Sequence, residues 1–263
     1  MRGVDIFFRT VYNTDMNVYE HIREFDVRYC DVDFKDELKP SAMLAYFEEA
    51  ACSSADELGF GYARLKPMGF TFMLTNIRCR LYRPVLLGAR VTVKTWPTPP
   101  SYVVFGREYK ILSEGGECLA DATSRWCVVD LKNGKVQPSK VFPEQDYASY
   151  NRARALDCNR WKFPAYPADE GEPRFSMTVA NSEYDHNMHV NNTRYADYCF
   201  NCFSLKELAA RSLKEFSLGY LRQCREEDGL LFVRREAEEG VFQVEGFNEA
   251  GENVVQSEIR FGN

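Results

Sequence analysis

A dense group of polar side chains lies in the second half of the chain. Asp185, Asn187 and His189 occupy alternate positions of the segment DHNMHVNN, and Asn191 and Asn192 close it. So many polar groups beside an apolar helix are costly to bury unless they bond one another or serve a site. His189 is one of three histidines in the chain, and its neighbours are an acid and amides. Because histidine exchanges protons near neutral pH, we predict acid–base chemistry at this segment.

The same segment lies just before a predicted helix that begins near Asn192. A helix N-terminus presents free backbone N–H groups and a partial positive charge, which suit a developing oxyanion. Val190, Asn191 and Asn192 are the residues at that N-terminus. A simpler interpretation stays open for the two asparagines, because asparagine is also a common helix N-cap.

Two predicted helices, far apart in the chain, must position these groups. The first runs from Pro40 to Leu58, with a proline suited to the first turn and Gly59 suited to the stop. The second carries apolar residues at the spacing of one helical face, namely Tyr195, Tyr198, Cys199, Cys202 and Phe203. Alternating apolar and polar residues follow each helix, so we predict antiparallel strands there.

The pattern of these elements indicates an internal duplication. Residues 33–46 (DFKDELKPSAMLAY) align with residues 185–198 (DHNMHVNNTRYADY) at a constant offset of 185 − 33 = 152. A predicted strand precedes each segment, and several predicted strands follow each one. A unit of strand, loop, apolar helix and strands is most simply folded when the sheet wraps the helix.

We therefore predict an α+β fold, a tandem (double) hotdog, in which each half is an antiparallel sheet wrapped around a long central helix. The two sheets are expected to join edge to edge, because joining removes two exposed edges. The predicted boundaries are an N-terminal extension at 1–15, a first hotdog at 16–142, a linker at 143–173 and a second hotdog at 174–263.

The composition excludes several classes of protein. The 263 residues are 45% hydrophobic and 27% charged, as in globular proteins, and no apolar run approaches the ~18 residues of a membrane helix. The net charge of −6 argues against nucleic-acid binding. Nine cysteines without a disulfide-like spacing favour a reducing cytoplasm, and the Cys199/Cys202 pair alone cannot close a zinc site. We therefore expect a cytoplasmic protein without metal, nucleic acid or membrane insertion.

Two motifs carry a family resemblance. Residues 185–195 (DHNMHVNNTRY) are similar to the signature of acyl-acyl carrier protein thioesterases, the plant and bacterial enzymes that end fatty-acid synthesis. Residues 218–224 (LGYLRQC) resemble the second motif of that family, with the cysteine 224 − 189 = 35 positions after the histidine. The resemblance covers the chain from about Met16 onward and agrees with the double hotdog.

The resemblance implies a catalytic set of Asp185, Asn187, His189 and Gln223. His189 would take a proton from water or orient it, Asp185 would assist the water or fix the local network, and Asn187 would position the nucleophile or polarise the thioester. The position of Gln223 is commonly acidic in the plant members, and a neutral amide can orient water but cannot act as an ionised base. Cys224 is either a covalent nucleophile or a neighbour that shapes the site.

The first repeat lacks this set of residues. At the offset of 152, Lys35 replaces Asn187 and Glu37 replaces His189. We therefore expect the first hotdog to hold the acyl chain between its helix and its sheet. The candidate acyl-binding residues are Met43, Phe47, Phe72, Met73, Leu74 and Ile77, and ordinary core packing is the alternative for each.

The implied reaction is hydrolysis of fatty acyl-[acyl carrier protein] to the free fatty acid, which needs no cofactor and no metal. Acyl carrier protein is strongly acidic, so an acidic enzyme needs a local basic patch to dock it. The candidate docking residues are Arg152, Arg154, Arg160, Lys162 and Arg194. Two alternatives stay open, an acyl-coenzyme A thioesterase and a non-catalytic acyl-binding double hotdog protein. The sequence leaves a homodimer open as well.

Overall fold

The structure is a computed structural model that describes residues 18–142, 147–158, 160–164 and 166–262. The strands are β1 His21–Asp26, β2 Phe70–Leu81, β3 Arg90–Pro97, β4 Phe105–Ser113, β5 Cys118–Asp130, β6 Val136–Gln137, β7 Glu172–Thr178, β8 Ser212–Tyr220, β9 Gly229–Glu238, β10 Val241–Asn248 and β11 Asn253–Gly262. The α-helices are α1 Pro40–Glu57, α2 Tyr62–Leu65, α3 Asn192–Phe200 and α4 Leu205–Ala209. The extension predicted at 1–15 lies outside the described residues.

The described strands form one antiparallel sheet. Their order is β1-β3-β4-β5-β2-β8-β11-β10-β9-β7, and β6 pairs with β5 at its side. The two repeats meet where β2 pairs with β8, from Asn76↔Gly219 to Arg80↔Glu215. This pairing confirms the predicted edge-to-edge joint, and it satisfies backbone groups that two open edges would expose.

Helix α1 is enclosed by the sheet of the first repeat. Pro40 occupies its first turn, where the missing N–H would have no helical partner. Buried residues lie around most of the helix, and Met43 and Phe47 are at most 1% exposed. Full burial of one such side chain contributes about 1.5–3 kcal/mol, so the core holds the helix firmly. The predicted helix at Pro40–Leu58 is confirmed to within one residue.

The central helix of the second repeat is short, which corrects the expectation of a long helix in each half. Helix α3 has nine residues, whereas α1 has 18. It ends before Asn201, and a capping box between Ser204 and Glu207 then starts α4. Cys202 and Phe203, predicted to extend the helical face, therefore lie in the turn between the two helices.

Aromatic rings fill the interior of the second repeat beside this turn. Phe203, Phe242 and Phe261 contact one another with ring centroids 5.2–6.0 Å apart. The guanidinium groups of Arg211 and Arg234 lie 4.8 Å from the centroids of two of these rings. Such ring pairs and cation–π contacts add to the stabilisation that burial gives. Aromatic side chains therefore fill the interior of the second repeat beside its short helix.

The predicted linker at 143–173 is hydrogen-bonded to the sheet of both repeats, and Tyr150 near its start packs with Phe60 and Leu65. At β3, the indole N–H of Trp96 donates to the Ala153 carbonyl at 3.0 Å. At β10, the Tyr166 N–H donates to the Glu245 carboxylate at 3.3 Å. These strands belong to different repeats, so this segment is a strap across both of them. Residues 143–146, 159 and 165 of the segment lie outside the described residues.

A buried carboxylate anchors the strap. Glu108 on β4 is 0% exposed and accepts hydrogen bonds from Arg154 Nη1 at 2.7 Å and from the Ala155 N–H at 3.0 Å. The Thr123 hydroxyl donates a third at 2.8 Å. A buried charge is tolerated only when it is paired and hydrogen-bonded in this way. Arg154 is therefore a structural residue of the strap.

Replacing Arg154 by Ala is expected to lower the free energy of unfolding by about 1–3 kcal/mol, because Glu108 loses a charged donor while it stays buried. The matched control is Arg152→Ala, which removes an exposed arginine two positions away and should change stability by less than about 0.5 kcal/mol. Urea unfolding followed by circular dichroism measures both. Equal stabilities of the two variants would show that the strap does not depend on this pair.

Candidate functional site

The loop before α3 is organised by Asp185. Its Oδ1 accepts the backbone N–H groups of Asn187 at 2.8 Å and of His189 at 3.3 Å. Its Oδ2 accepts the side-chain amide of Asn187 at 3.5 Å. The Asp185 N–H donates in turn to the His189 carbonyl at 2.8 Å. The carboxylate is thus occupied by N–H groups of its own loop.

The first repeat builds the same loop. The Oδ1 of Asp33 accepts the N–H groups two and four residues further on, at 2.8 and 3.2 Å. Both loops contain a non-glycine residue with positive φ three positions after the aspartate, 58° at Asp36 and 60° at Met188. Because both repeats share these features, the hydrogen bonds of Asp185 belong to the fold of the loop. This favours the interpretation in which Asp185 fixes the local network.

The side chains that replace Asn187 and His189 in the first repeat form an ion pair. Lys35 Nζ lies 2.8 Å from Glu37 Oε2, and it donates to the Arg211 carbonyl at 3.5 Å. These contacts engage the two positions that correspond to Asn187 and His189. The first-repeat loop is therefore held by ionic and main-chain contacts and carries no imidazole.

A cavity of about 490 Å³ lies between the two repeats. Its volume falls within the ~300–1,000 Å³ that is usual for small-molecule sites. The second repeat supplies a polar wall that includes Asp185, Asn187, His189, Asn192, Tyr220 and Gln223. The first repeat supplies an apolar wall that includes Ala51, Ala55, Leu58, Phe60, Phe70, Phe72 and Phe105. The cavity can therefore hold an apolar chain next to a polar reacting group.

The six candidate acyl-binding residues divide into two groups. Phe72, Met73 and Leu74 line the cavity. Met43, Phe47 and Ile77 do not line it, and they are at most 3% exposed in the hydrophobic core. For these three, the geometry favours the alternative, ordinary core packing. Sequence periodicity identifies an inward-facing residue but not whether a cavity or a side chain lies opposite.

The four positions of the implied catalytic set come together at this cavity. Asp185, Asn187 and His189 are half-buried, and Gln223 is exposed at the wall. Within the described part of the chain, no group hydrogen-bonds the His189 imidazole or the Gln223 amide. Both side chains are therefore available to a ligand.

The N-terminus of α3 forms part of the same wall. Asn191 is its N-cap, with Oδ1 accepting the Thr193 N–H at 2.8 Å and the Thr193 hydroxyl at 2.7 Å. Val190 and Asn192 line the cavity, whereas Asn191 does not. The capping interpretation is thus correct for Asn191, and Asn192 is the asparagine that faces the cavity.

Cys224 is buried behind the wall. It is 1% exposed and does not line the cavity. Burial raises the pKa of its thiol, which also hydrogen-bonds the Tyr195 side chain. A nucleophilic cysteine needs an exposed thiolate of lowered pKa. Of the two interpretations that the sequence left open, this geometry favours Cys224 as a neighbour that shapes the site.

Sequence reasoning missed two carboxylates at the cavity, Glu48 and Asp56, both on α1. Glu48 lines the cavity from α1 together with Asp185, and the Asn191 side chain also acts on its carboxyl. Glu48 could have been identified from the sequence, because it is an acidic residue within a helix that the sheet was expected to enclose. Cys52, one turn further along α1, lines the cavity as well.

The five candidate docking residues have different surroundings. Arg152, Arg160 and Lys162 are exposed, and none of them forms an ion pair within the described residues. Arg154 is held by Glu108, and Arg194 donates to the Ser182 carbonyl at 3.3 Å. None of the five lines the cavity.

All nine cysteines are free thiols. Among the described residues, no group of three or more His, Cys, Asp or Glu side chains is arranged to hold a metal ion. No helix of the described chain is long and apolar enough to cross a membrane.

Two family models match the chain. Residues 18–145 match the acyl-ACP thioesterase N-terminal domain, and residues 168–263 match the acyl-ACP thioesterase C-terminal domain. Among individual proteins, the chloroplastic acyl-[acyl-carrier-protein] hydrolase FATB3 of Cuphea viscosissima is 22% identical over 79% of this chain and 53% of its own length. The chloroplastic palmitoyl-acyl carrier protein thioesterase of Gossypium hirsutum is 24% identical over 77% of this chain and 51% of its own length. The chain thus spans about half the length of these plant relatives.

Solved structures match almost the whole fold. An acyl-ACP thioesterase from Bacteroides thetaiotaomicron superposes with a TM-score of 0.83 at 21% identity, covering 92% of this chain and 98% of the other. The 12:0-ACP thioesterase from Umbellularia californica superposes with a TM-score of 0.83 at 17% identity, covering 92% and 97%. At these identities the likeness establishes the fold, and it confirms the double hotdog.

Because Cys224 is buried and the pKa of its thiol is raised, it is expected to resist alkylation by iodoacetamide at neutral pH. Exposed Cys30 is the internal control and should be labelled in the folded protein. Mass spectrometry of the labelled peptides measures both rates. Labelling of Cys224 as fast as Cys30, or an acyl group trapped on Cys224 during turnover, would make it a nucleophile after all.

Proposed function

Because the chain belongs to the acyl-ACP thioesterase family, we propose that it hydrolyses the thioester of a fatty acyl-[acyl carrier protein] and releases the free fatty acid, which ends chain elongation. One observation carries the proposal. The aromatic wall of the first repeat and the His189 loop of the second line the same cavity. Burial of an alkyl chain contributes ~0.8 kcal/mol per CH₂, so the aromatic wall can hold the chain while the thioester meets the loop.

In the proposed reaction, water attacks the carbonyl carbon of the thioester. His189 holds that water or accepts its proton, because imidazole exchanges protons near neutral pH. The hydrogen bond from the Asn187 amide to Asp185 orients Asn187, which positions the water or polarises the carbonyl. The carbon–sulfur bond then breaks, and the carrier thiol leaves with a proton. Asp185 contributes by holding the loop.

Two further groups at the polar wall act in this proposal, one on the developing negative charge and one on the water. The N-terminus of α3 reaches the cavity at Asn192, where helix N–H groups stabilise an oxyanion. Gln223 can orient the water with its amide but cannot accept a proton from it. The polar wall therefore needs a proton acceptor other than Gln223.

Acyl carrier protein is the proposed partner. It is acidic, so it needs basic groups that are not already paired on this acidic chain. Arg152, Arg160 and Lys162 in the strap meet that requirement, because they are exposed and form no ion pair among the described residues. Arg154 is a weaker candidate since Glu108 holds it. Nine free thiols support a reducing compartment, and the cytoplasm is the location proposed.

The experiment compares the release of free fatty acid from palmitoyl-acyl carrier protein and from palmitoyl-coenzyme A by the purified wild-type chain and by His189→Ala. The carrier-protein substrate is expected to turn over faster, and His189→Ala should lower kcat by ~10²-fold or more while the protein stays folded. Liquid chromatography of the released acid measures turnover, and circular dichroism checks folding.

Three results would overturn parts of the proposal. Faster turnover of the coenzyme A substrate would assign the chain to acyl-coenzyme A hydrolysis. Bound fatty acyl groups without turnover would make it an acyl-binding protein. Near-normal hydrolysis by folded His189→Ala would show that the polar wall is not the catalytic one.

A further inference from the structure

A carboxylate of the first repeat faces the polar wall of the second. Glu48 lies on α1 and lines the cavity together with Asp185 and His189. Cys52 and Ala55, four and seven positions later, line the cavity from the same face of the helix. The side chain of Glu48 therefore belongs to the cavity wall and not to the solvent face of α1.

The Asn191 side chain is the polar neighbour that lowers the pKa of the Glu48 carboxyl. The Oδ1 of Asn191 accepts both the N–H and the hydroxyl of Thr193, so its amide nitrogen is the part that faces Glu48. Among the described residues no other group hydrogen-bonds that carboxyl, which leaves it open to a ligand.

The other acidic and amide groups at the cavity are poorly suited to accept a proton. The carboxylate of Asp185 already accepts three N–H groups of its own loop. Gln223 carries a neutral amide. Asp56 also lines the cavity, but it lies eight residues further along α1, which is about 12 Å at 1.5 Å per residue. Among the described residues, Glu48 is the carboxylate beside the loop that accepts no main-chain N–H group.

We propose that Glu48 is a catalytic residue, the group that takes the proton of the attacking water in the hydrolysis proposed above. As the carboxylate accepts that proton, the water oxygen bonds to the acyl carbon. When the carbon–sulfur bond breaks, Glu48 returns the proton to the carrier thiolate, and its carboxylate is regenerated. His189 then holds the water or the thioester oxygen. The inference rests on the proposed function and makes the active site a product of both repeats.

The surroundings of Glu48 suit a general base. Its pKa is raised from the ordinary value of 4.5, first by burial and then by the negative charges of Asp185 and Glu49, while the Asn191 amide opposes the shift. A base is more effective when its pKa lies closer to the working pH. The other titratable groups that face it are Cys52 on its own helix, Tyr220 on β8 and His189 on the loop.

The decisive variant is Glu48→Gln, which keeps the shape of the side chain and a carbonyl oxygen that can accept hydrogen bonds. We expect kcat for palmitoyl-acyl carrier protein to fall by ~10²-fold or more. KM and the Kd of a non-hydrolysable palmitoyl thioether of phosphopantetheine should change less than twofold. Tm should stay the same or rise, because a charge next to Asp185 is removed. Glu48→Asp keeps the carboxylate and should retain part of the activity.

The matched control is Glu49→Gln on the adjacent helix position. Glu49 is exposed and pairs with Arg23 at 3.0 Å, and it does not line the cavity. This variant should keep wild-type kcat.

The pH profile of kcat/KM adds a readout that a structural role would not move. A base works only when ionised, so activity is lost as the pH falls through the raised pKa of Glu48. In the wild type and in Glu49→Gln, kcat/KM should therefore fall at acidic pH as Glu48 becomes protonated. The residual kcat/KM of Glu48→Gln should lack this acidic fall.

The inference and the proposed function fail in different ways. If the wild type hydrolyses palmitoyl-acyl carrier protein and folded Glu48→Gln keeps its kcat and its acidic limb, the role of Glu48 is overturned and the function stands. If the wild type hydrolyses no thioester, the proposed function itself is overturned.

Discussion

The pairing of β2 with β8 is the contact on which the rest of the site depends. These two strands, one from each repeat, exchange main-chain hydrogen bonds from Asn76↔Gly219 to Arg80↔Glu215. Because the joint makes one sheet of two repeats, α1 and α3 lie against each other on the same face of it. The cavity forms where they meet, with an apolar wall from one repeat and a polar wall from the other. Neither repeat alone contains both walls.

The two repeats share one backbone plan and differ in the side chains that it carries. Both retain the aspartate-centred loop, including the positive φ of Asp36 and Met188. In the first repeat the loop is held by the Lys35–Glu37 ion pair, and the space beside the long helix is open. In the second repeat the loop presents His189, and aromatic rings fill the space beside the short helix. In the proposed function, acyl binding and chemistry therefore belong to different copies of the same unit.

Much of this arrangement could be predicted from the sequence, because it follows from local patterns. The 3.6-residue and two-residue periods gave the helix α1 and the strands, and the offset of 152 gave the duplication. The polar loop was identifiable because Asp185, Asn187 and His189 lie within five consecutive positions of the sequence. The end of α3 was predicted incorrectly, since the apolar spacing continues to Phe203 while the capping box at Ser204 ends the helix before it.

What could not be predicted depends on contacts between distant parts of the chain. Met43 and Phe72 are both apolar and inward-facing, yet only Phe72 lines the cavity, because that depends on what lies opposite. Glu48 meets the His189 loop only through the packing of α1 on α3, which no local pattern encodes.

The most direct test of the account is a crystal structure with a non-hydrolysable palmitoyl thioether. We predict the alkyl chain against Phe60 and Phe72 and the sulfur beside His189; an alkyl chain held within the second repeat or on the outer face of the sheet would contradict the account.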